Sequence, residues 1–172
     1  MVSAVAIEID DILNNFSDLL NDMGIIYNNR LHSIADPLLQ RCLYDMKTGR
    51  LTQIAEQVMG SAVVRQDGVA FLRWLYENGW TIVLFTYRDL RYTQEITVKW
   101  LLDYRVPYDY LFYVDNLLSF CRDMNIKYMF CNRPYRCEDL LCFFPAVSEK
   151  RTLIDGAYEF RDFEEVKRCI QK

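Results

Sequence analysis

The sequence predicts an α/β fold in one domain, with a parallel sheet covered by helices on both faces and a small helical insertion after the first strand. Three observations lead there. Short apolar runs alternate with segments whose apolar residues recur at helical spacing, the signature of strand–helix–strand units. The run Trp80-Thr-Ile-Val-Leu-Phe-Thr86 has no polar face, as a strand covered on both sides requires. A chain of 172 residues is long enough for one ordinary domain with its own core.

The elements follow in order. Ala4-Val-Ala-Ile-Glu-Ile-Asp10 reads as a first strand ending in acid. Ile12, Leu13, Phe16, Leu19 and Leu20 then predict a helix almost at once, stopped by Gly24. Helical patterns around Pro37 to Met46 and Leu51 to Met59, separated by Lys47-Thr-Gly-Arg50, complete an insertion over residues 14–66 that reads as a helical cap. The core is then 1–13 and 67–172. From Asp67, the residues Val69, Leu72, Trp74, Leu75 and Tyr76 mark a mostly buried helix that Asn78-Gly79 ends. The strand at 80–86 is followed by a helix carrying Ile96, Trp100 and Leu101, broken at Val106-Pro107. Tyr110 to Val114 is a third strand, and Asp115 is placed to cap the helix of Leu117, Leu118, Cys121 and Met124. Lys127 to Cys131 is a fourth strand and Leu141 to Val147 a fifth. Asp162 with Glu165 opens a last helix that uses Phe163, Val166 and Ile170.

Composition narrows the function classes. Apolar residues make up 52% of the chain and the net charge is −4, with no dense Lys/Arg run. Nucleic acid and anionic membrane surfaces are therefore not expected partners. No apolar run approaches the roughly 20 residues that span a bilayer. The first ten residues lack the basic lead of a secretory signal, so the expected location is cytoplasmic. Six irregularly spaced cysteines fit buried reduced thiols. Zinc would need close Cys-x-x-Cys pairs, which are absent from the sequence. His32, the single histidine, reads as a surface residue.

In an open parallel sheet, ligands bind at the carboxyl ends of the strands. Those ends hold Glu8-Ile-Asp-Asp11, Thr86-Tyr-Arg88, Asp115-Asn116 and Cys131-Asn-Arg-Pro134. Taken singly, each has a plain alternative. Glu8 and Asp10 suit a polar strand end, and Asp10 or Asp11 suits a helix cap. Thr86 and Arg88 suit a solvated loop, Arg133 suits pairing with Glu138 or Asp139, and Cys131 suits a buried small hydrophobe.

Taken in order, they resemble the haloacid-dehalogenase-like (HAD) phosphatases, and within them the 5′(3′)-deoxyribonucleotidase type. Ala6-Ile-Glu-Ile-Asp-Asp-Ile-Leu13 is similar to that family's first motif, with Glu8 at the position of its first Asp. Phe85-Thr-Tyr-Arg88 resembles its strand-two Thr with the nucleotidase Arg, and Cys131-Asn-Arg-Pro134 its Asp-Asp-Arg-Pro. The stretch from Tyr158 to Ile170 resembles its C-terminal region, and the likeness covers nearly the whole chain. It implies a three-layer Rossmann-like fold and a two-step phosphoryl transfer: one carboxylate attacks phosphorus, and a second protonates the leaving group and then activates water. It further implies phosphoryl binding by Thr86, Arg88, Arg133 and a basic residue near Asn116. Mg²⁺ would be held at Glu8, Asp10 and Asn132.

The departures point one way. Glu8 keeps the charge of the nucleophile but displaces it by about 1.5 Å, where about 1 Å of misplacement can cost 10²-fold. Asn116 stands where the family has Lys, a loss of electrostatic stabilisation worth roughly 3 kcal/mol. Cys131 offers soft sulfur where hard Mg²⁺ prefers oxygen, and Asn132 offers a carbonyl without charge. The expected function is a nucleotidase-related pseudophosphatase that binds a phosphorylated small molecule, a nucleotide or a protein partner. Two alternatives stand beside it: an atypical Mg²⁺-dependent phosphatase using Asp10 and Glu8, and an interaction scaffold. Tyr87, Tyr92, Tyr104, Tyr108, Tyr110, Tyr113 and Tyr135 crowd loops and strand ends, where tyrosine suits base stacking or a protein interface.

Overall fold

A computed structural model of the chain describes residues 3–22, 43–45, 47–48, 50–136, 140–146 and 156–170. The predicted stop at Gly24, most of the helix predicted at 37–46, His32, Cys42, Cys137, Glu138 and Asp139 lie outside them.

Six strands form one parallel sheet: β1 (Ala4–Glu8), β4 (Thr81–Thr86), β5 (Tyr110–Tyr113), β6 (Tyr128–Phe130), β7 (Leu141–Pro145) and β8 (Ala157–Phe160). Their spatial order is β5-β4-β1-β6-β7-β8. Every pairing is parallel, with Ile7 opposite Leu84 on one side and Phe130 on the other. The order reverses direction at β1, so the switch-point crevice opens between the carboxyl ends of β1 and β6.

Period-two alternation assigns the two faces of β1. Val5 and Ile7 pack with α3 (Gln66–Glu77) and α6 (Phe163–Ile170), through Phe71, Leu72, Leu75, Phe163 and Val166. The end of α4 (Leu90–Asp103) closes that side with Trp100 and Leu101. Ala6 faces the opposite layer, where Val83, Phe85 and Met129 meet Leu117 and Cys121 of α5 (Leu117–Asp123). Gly68 lets α3 approach the end of β1 closely. A Cβ there would lie 3.2 Å from Leu13 Cδ2 and 3.4 Å from the Ile12 carbonyl.

Between residues 14 and 66 the structure shows α1 (Phe16–Asp22), a two-stranded antiparallel hairpin of β2 (Tyr44–Asp45) and β3 (Arg50–Leu51), and α2 (Gln53–Ser61). A stretch read from sequence as helical thus also holds a hairpin. Thr52 caps α2 by accepting from the Ala55 amide, which explains why Leu51 belongs to the strand and not to the helix. The two linkers of this insertion lie side by side. Asn14 bridges Val64, the Arg65 amide donates to the Leu13 carbonyl, and the Val63 amide donates to Asn15 Oδ1.

Three further expectations need correction. The helix after β1 begins at Phe16, not at Ile12, because Asp11 takes a left-handed conformation (φ 67°) and Ile12 and Leu13 turn into the core. The cap of α5 is Asn116, whose Oδ1 accepts from the Ser119 amide, and not Asp115. β8 was not anticipated. It is a short edge strand preceded by Gly156 at φ 78°, and it pairs Phe143 with Tyr158. The capping box of α6 is present in modified form: Asp162 accepts from the Glu165 amide, and Glu165 reaches back to the Arg161 amide. Among the described residues no helix is long and apolar enough to cross a membrane.

Candidate functional site

The sheet brings Glu8, Asp10, Thr86, Arg88, Asn132 and Arg133 to one end, as the sequence placed them. Glu8 is the last residue of β1 and Thr86 the last of β4, so parallel pairing sets them side by side. Asn132 and Arg133 follow β6 on the other side. Asn116 is not drawn in. It sits exposed at the start of α5, with its side chain committed to the helix.

Asp10 is fully buried and meets Arg88 in a two-pronged pair. Arg88 Nη2 donates to Asp10 Oδ1 at 2.5 Å, and Nε donates to Oδ2 at 3.0 Å. The Thr86 hydroxyl donates to Oδ2 at 3.1 Å, and Asn14 Nδ2 donates to Oδ1 at 3.2 Å. A carboxylate has about four acceptor positions, and here each one is used. Arg88 is held just as fully. Its Nη1 donates to Thr97 Oγ1 at 2.9 Å, and its guanidinium lies 5.7 Å over the Phe16 ring. Thr86 Oγ1 also accepts the Arg88 amide at 3.2 Å, so it has little left for a phosphoryl oxygen.

Glu8 shows the opposite condition. It is wholly buried, Oε2 accepts the Asn132 amide at 3.0 Å, and Oε1 has no hydrogen-bond partner among the described residues. Burial pushes its carboxyl well above the ordinary range, and the negative charges of Asp10 and Asp11 add to that. The Asn132 amide and Arg133 oppose it only in part. A carboxyl shifted in this direction gives up its proton less readily, and only the ionised form is a good nucleophile or cation ligand.

Asp11 accepts the Ser17 amide at 2.7 Å and the Ser17 hydroxyl at 2.6 Å, and Asn132 Nδ2 reaches it at 3.2 Å. Burial still raises its carboxyl from 3.8 to about 6. Cys131 faces the same region, with its thiol against the Arg133 carbonyl at 2.9 Å and Cys142 Sγ at 3.3 Å. Arg133 Nε donates to the Tyr135 hydroxyl at 2.7 Å, and Tyr135 in turn meets Tyr87 at 3.1 Å. A cleft of about 310 Å³ opens beside this group, lined by Asp11, Asn14, Ser17, Arg65, Asn132 and Pro145 among others.

Sequence reasoning missed Asn14, Asp11, Ser17 and Thr97 as parts of the site. Asn14 had a visible signal, since an amide four residues past Asp10 interrupts the apolar spacing at the point where the chain must turn. Thr97 had none, because it reaches Arg88 from inside α4.

No family model matches the chain, and no curated protein does. Solved structures do, over nearly their whole length. A "predicted phosphatase" of Clostridium acetobutylicum is 14% identical with a TM-score of 0.59, over 99% of both chains. A HAD phosphatase of Thermococcus onnurineus is 15% identical with a TM-score of 0.57, over 98% of both. The chain has the HAD fold. A "putative HAD-hydrolase" of Bacillus subtilis, solved with magnesium bound, is similar in the same way, at 10% identity and a TM-score of 0.56 over 99% of both chains.

The residues at this site do not fit Mg²⁺. That ion demands near-octahedral oxygen coordination, usually with carboxylate charge. Asp10 has no open position, Asp11 is engaged by Ser17 and Asn132, and Cys131 presents sulfur bonded to a carbonyl. Glu8 Oε1 is the one carboxylate oxygen of the three acids without a partner among the described residues. No three of His, Cys, Asp and Glu gather as a metal-holding group among those residues.

Proposed function

We propose that this HAD-fold chain is a pseudophosphatase, related to the nucleotidase type, that acts by binding at its strand-end mouth and not by turnover. The observation that carries this reading is the buried Arg88–Asp10 pair. A general acid must reach the leaving oxygen with its proton and later take one from water. Asp10 has no lone pair turned to a substrate, and freeing it would strand a guanidinium that is equally buried. The raised carboxyl of Glu8 makes a poorer nucleophile as well. The nucleotidase relation rests on the order Glu8-x-Asp10, Thr86-x-Arg88 and Asn132-Arg133-Pro134. Because Thr86 and Arg88 are spent internally, the cleft beside Asn132 and Arg65 is the better place for a phosphorylated ligand or a protein segment.

The test is phosphate release in Mg²⁺ from a panel of nucleoside monophosphates and a simple aryl phosphate. Wild type and Asp10→Asn are expected to be equally silent. The triple change Glu8→Asp, Asn116→Lys and Cys131→Asp restores three of the four family residues the site lacks but leaves Asp10 locked, so it also stays silent; adding Arg88→Ser opens the lock and gives measurable turnover. Ordinary enzymatic rates in wild type, lost in Asp10→Asn, would overturn the proposal.

A further inference from the structure

Cys131 enters the reading above only as a poor donor for a hard cation, and its contact with Cys142 has no part there. Cys131 directly follows β6, Cys142 is the second residue of β7, and both are completely buried. Their sulfurs lie 3.3 Å apart, and both thiols are free. The contact is directed and not mere filler. The Cys131 S–H donates to the Arg133 carbonyl, the two sulfurs share a hydrogen bond that either can donate, and the Tyr135 amide donates to Cys142 Sγ at 3.4 Å. The loop after β6 therefore folds back over the two sulfurs.

We infer that Cys131 and Cys142 are a reversible dithiol–disulfide couple, oxidised by hydrogen peroxide, whose state sets the position of the loop carrying Asn132 and Arg133. This does not depend on whether catalysis remains. Cys142 is the attacking sulfur. The Tyr135 amide donates to it, and its hydrogen bond with Cys131 holds its thiol below the ordinary range, whereas burial lifts that of Cys131. The Cys142 thiolate attacks one peroxide oxygen, the O–O bond breaks, and hydroxide leaves as water with the proton that Cys142 gave up. The resulting sulfenic acid is then attacked by the Cys131 sulfur. Its S–O bond breaks, and the hydroxyl leaves as a second water with the Cys131 proton. Two thiols are oxidised to one disulfide and one peroxide is reduced to two waters. Peroxide enters by local opening of residues 131–136, which form neither helix nor strand.

Closing the sulfurs to a bond of about 2.05 Å draws Cys131 toward β7. It also removes the S–H bond to the Arg133 carbonyl. The next residue, Asn132, donates its amide to Glu8, so the redox state reaches the buried carboxylate at the strand end.

The experiment exposes the reduced full chain to hydrogen peroxide, blocks remaining thiols by alkylation, and maps cysteines by mass spectrometry. The expected result is a loss of two of the six thiols, a Cys131–Cys142 cross-linked peptide, and full reversal by dithiothreitol. In Cys142→Ser the cross-link is absent. The amide resonance of Asn132 should shift between the oxidised and reduced forms. If both cysteines stay alkylatable, oxidise separately to sulfinic acids, or link to other cysteines, the couple does not exist. An unmoved Asn132 resonance would overturn its link to the site. The wild-type map decides the matter even if Cys142→Ser fails to fold.

Discussion

Replacing Arg88 by Ala should be among the most damaging single changes in the protein. The side chains of Arg88 and Asp10 are each only 1% exposed. Removing the guanidinium leaves a carboxylate in the core with only Thr86 and Asn14 to hold it. Breaking a buried pair in this way typically costs about 3–5 kcal/mol, because the remaining charge is uncompensated. Against a total stability of roughly 5–15 kcal/mol that is a large fraction. For a domain of this size each kcal/mol moves the melting midpoint by about 2–4 °C, so the expected fall is about 6–20 °C. The molecule supplies its own control. Arg91 and Asp89 make a similar fork, with Nη2 to Oδ2 at 2.6 Å, but their side chains are 74% and 24% exposed. Arg91→Ala should leave the midpoint almost unchanged, since water replaces what is lost.

Urea denaturation of wild type, Arg88→Ala, Asp10→Asn and the combination Arg88→Met with Asp10→Asn provides the measurement. In the combined variant both charges are gone, and Asn still serves as acceptor and donor among Thr86 and Asn14. The pair should then recover at least half of what Arg88→Ala loses, and the cycle should show coupling above about 1 kcal/mol. If Arg88→Ala behaves like Arg91→Ala, or if the two changes simply add, Asp10 is not locked and the case against catalysis loses its main support.

Two further outcomes follow from the same geometry. Folding raises the Asp11 carboxyl from 3.8 to about 6, so the folded state binds that proton more tightly than the unfolded chain does. Its stabilising effect is complete below about pH 4 and disappears as pH climbs to about 6, a fall of about 3 kcal/mol at most. Denaturation midpoints across that window should be flatter in Asp11→Asn than in wild type, and parallel slopes would refute the assignment. Trp100 Nε1 donates to the Ala62 carbonyl at 2.6 Å, tying α4 to the end of the insertion. Trp100→Phe should cost about 1–3 kcal/mol by leaving that buried carbonyl unpaired, and no change in urea midpoint would show the bond to be dispensable.

What the sequence made legible was whatever depends on period and order. The two-faced apolar run at 80–86 and the acid after Ile7 determined where strand ends fall, and parallel pairing did the rest for Glu8, Thr86 and Asn132. What it hid was direction. Arg88 reads as a positive charge available to a ligand, yet it turns inward to a carboxylate 78 positions earlier in the chain. No local pattern records that choice, because it depends on Thr97 and Phe16 closing around the guanidinium from two other elements. Ile12 and Leu13 misled for a related reason. Their spacing suits a helix, but the left-handed turn at Asp11 spends them as core anchors.

These features are connected through charge. Glu8, Asp10 and Asp11 crowd one strand end, where the charge on each raises the cost of ionising its neighbours. Without donors that suit Mg²⁺, the chain must settle each acid separately. Asp10 is settled by the Arg88 guanidinium, Glu8 by burial that favours its neutral form, and Asp11 by Ser17 and Asn132. Each arrangement then constrains the other two. A Glu8 that holds its proton offers a cation no charge, Arg88 occupies the carboxylate of Asp10, and Asn132 spends its side-chain amide on Asp11. Restoring one family residue at a time should therefore gain nothing, because the remaining substitutions keep the charge already balanced.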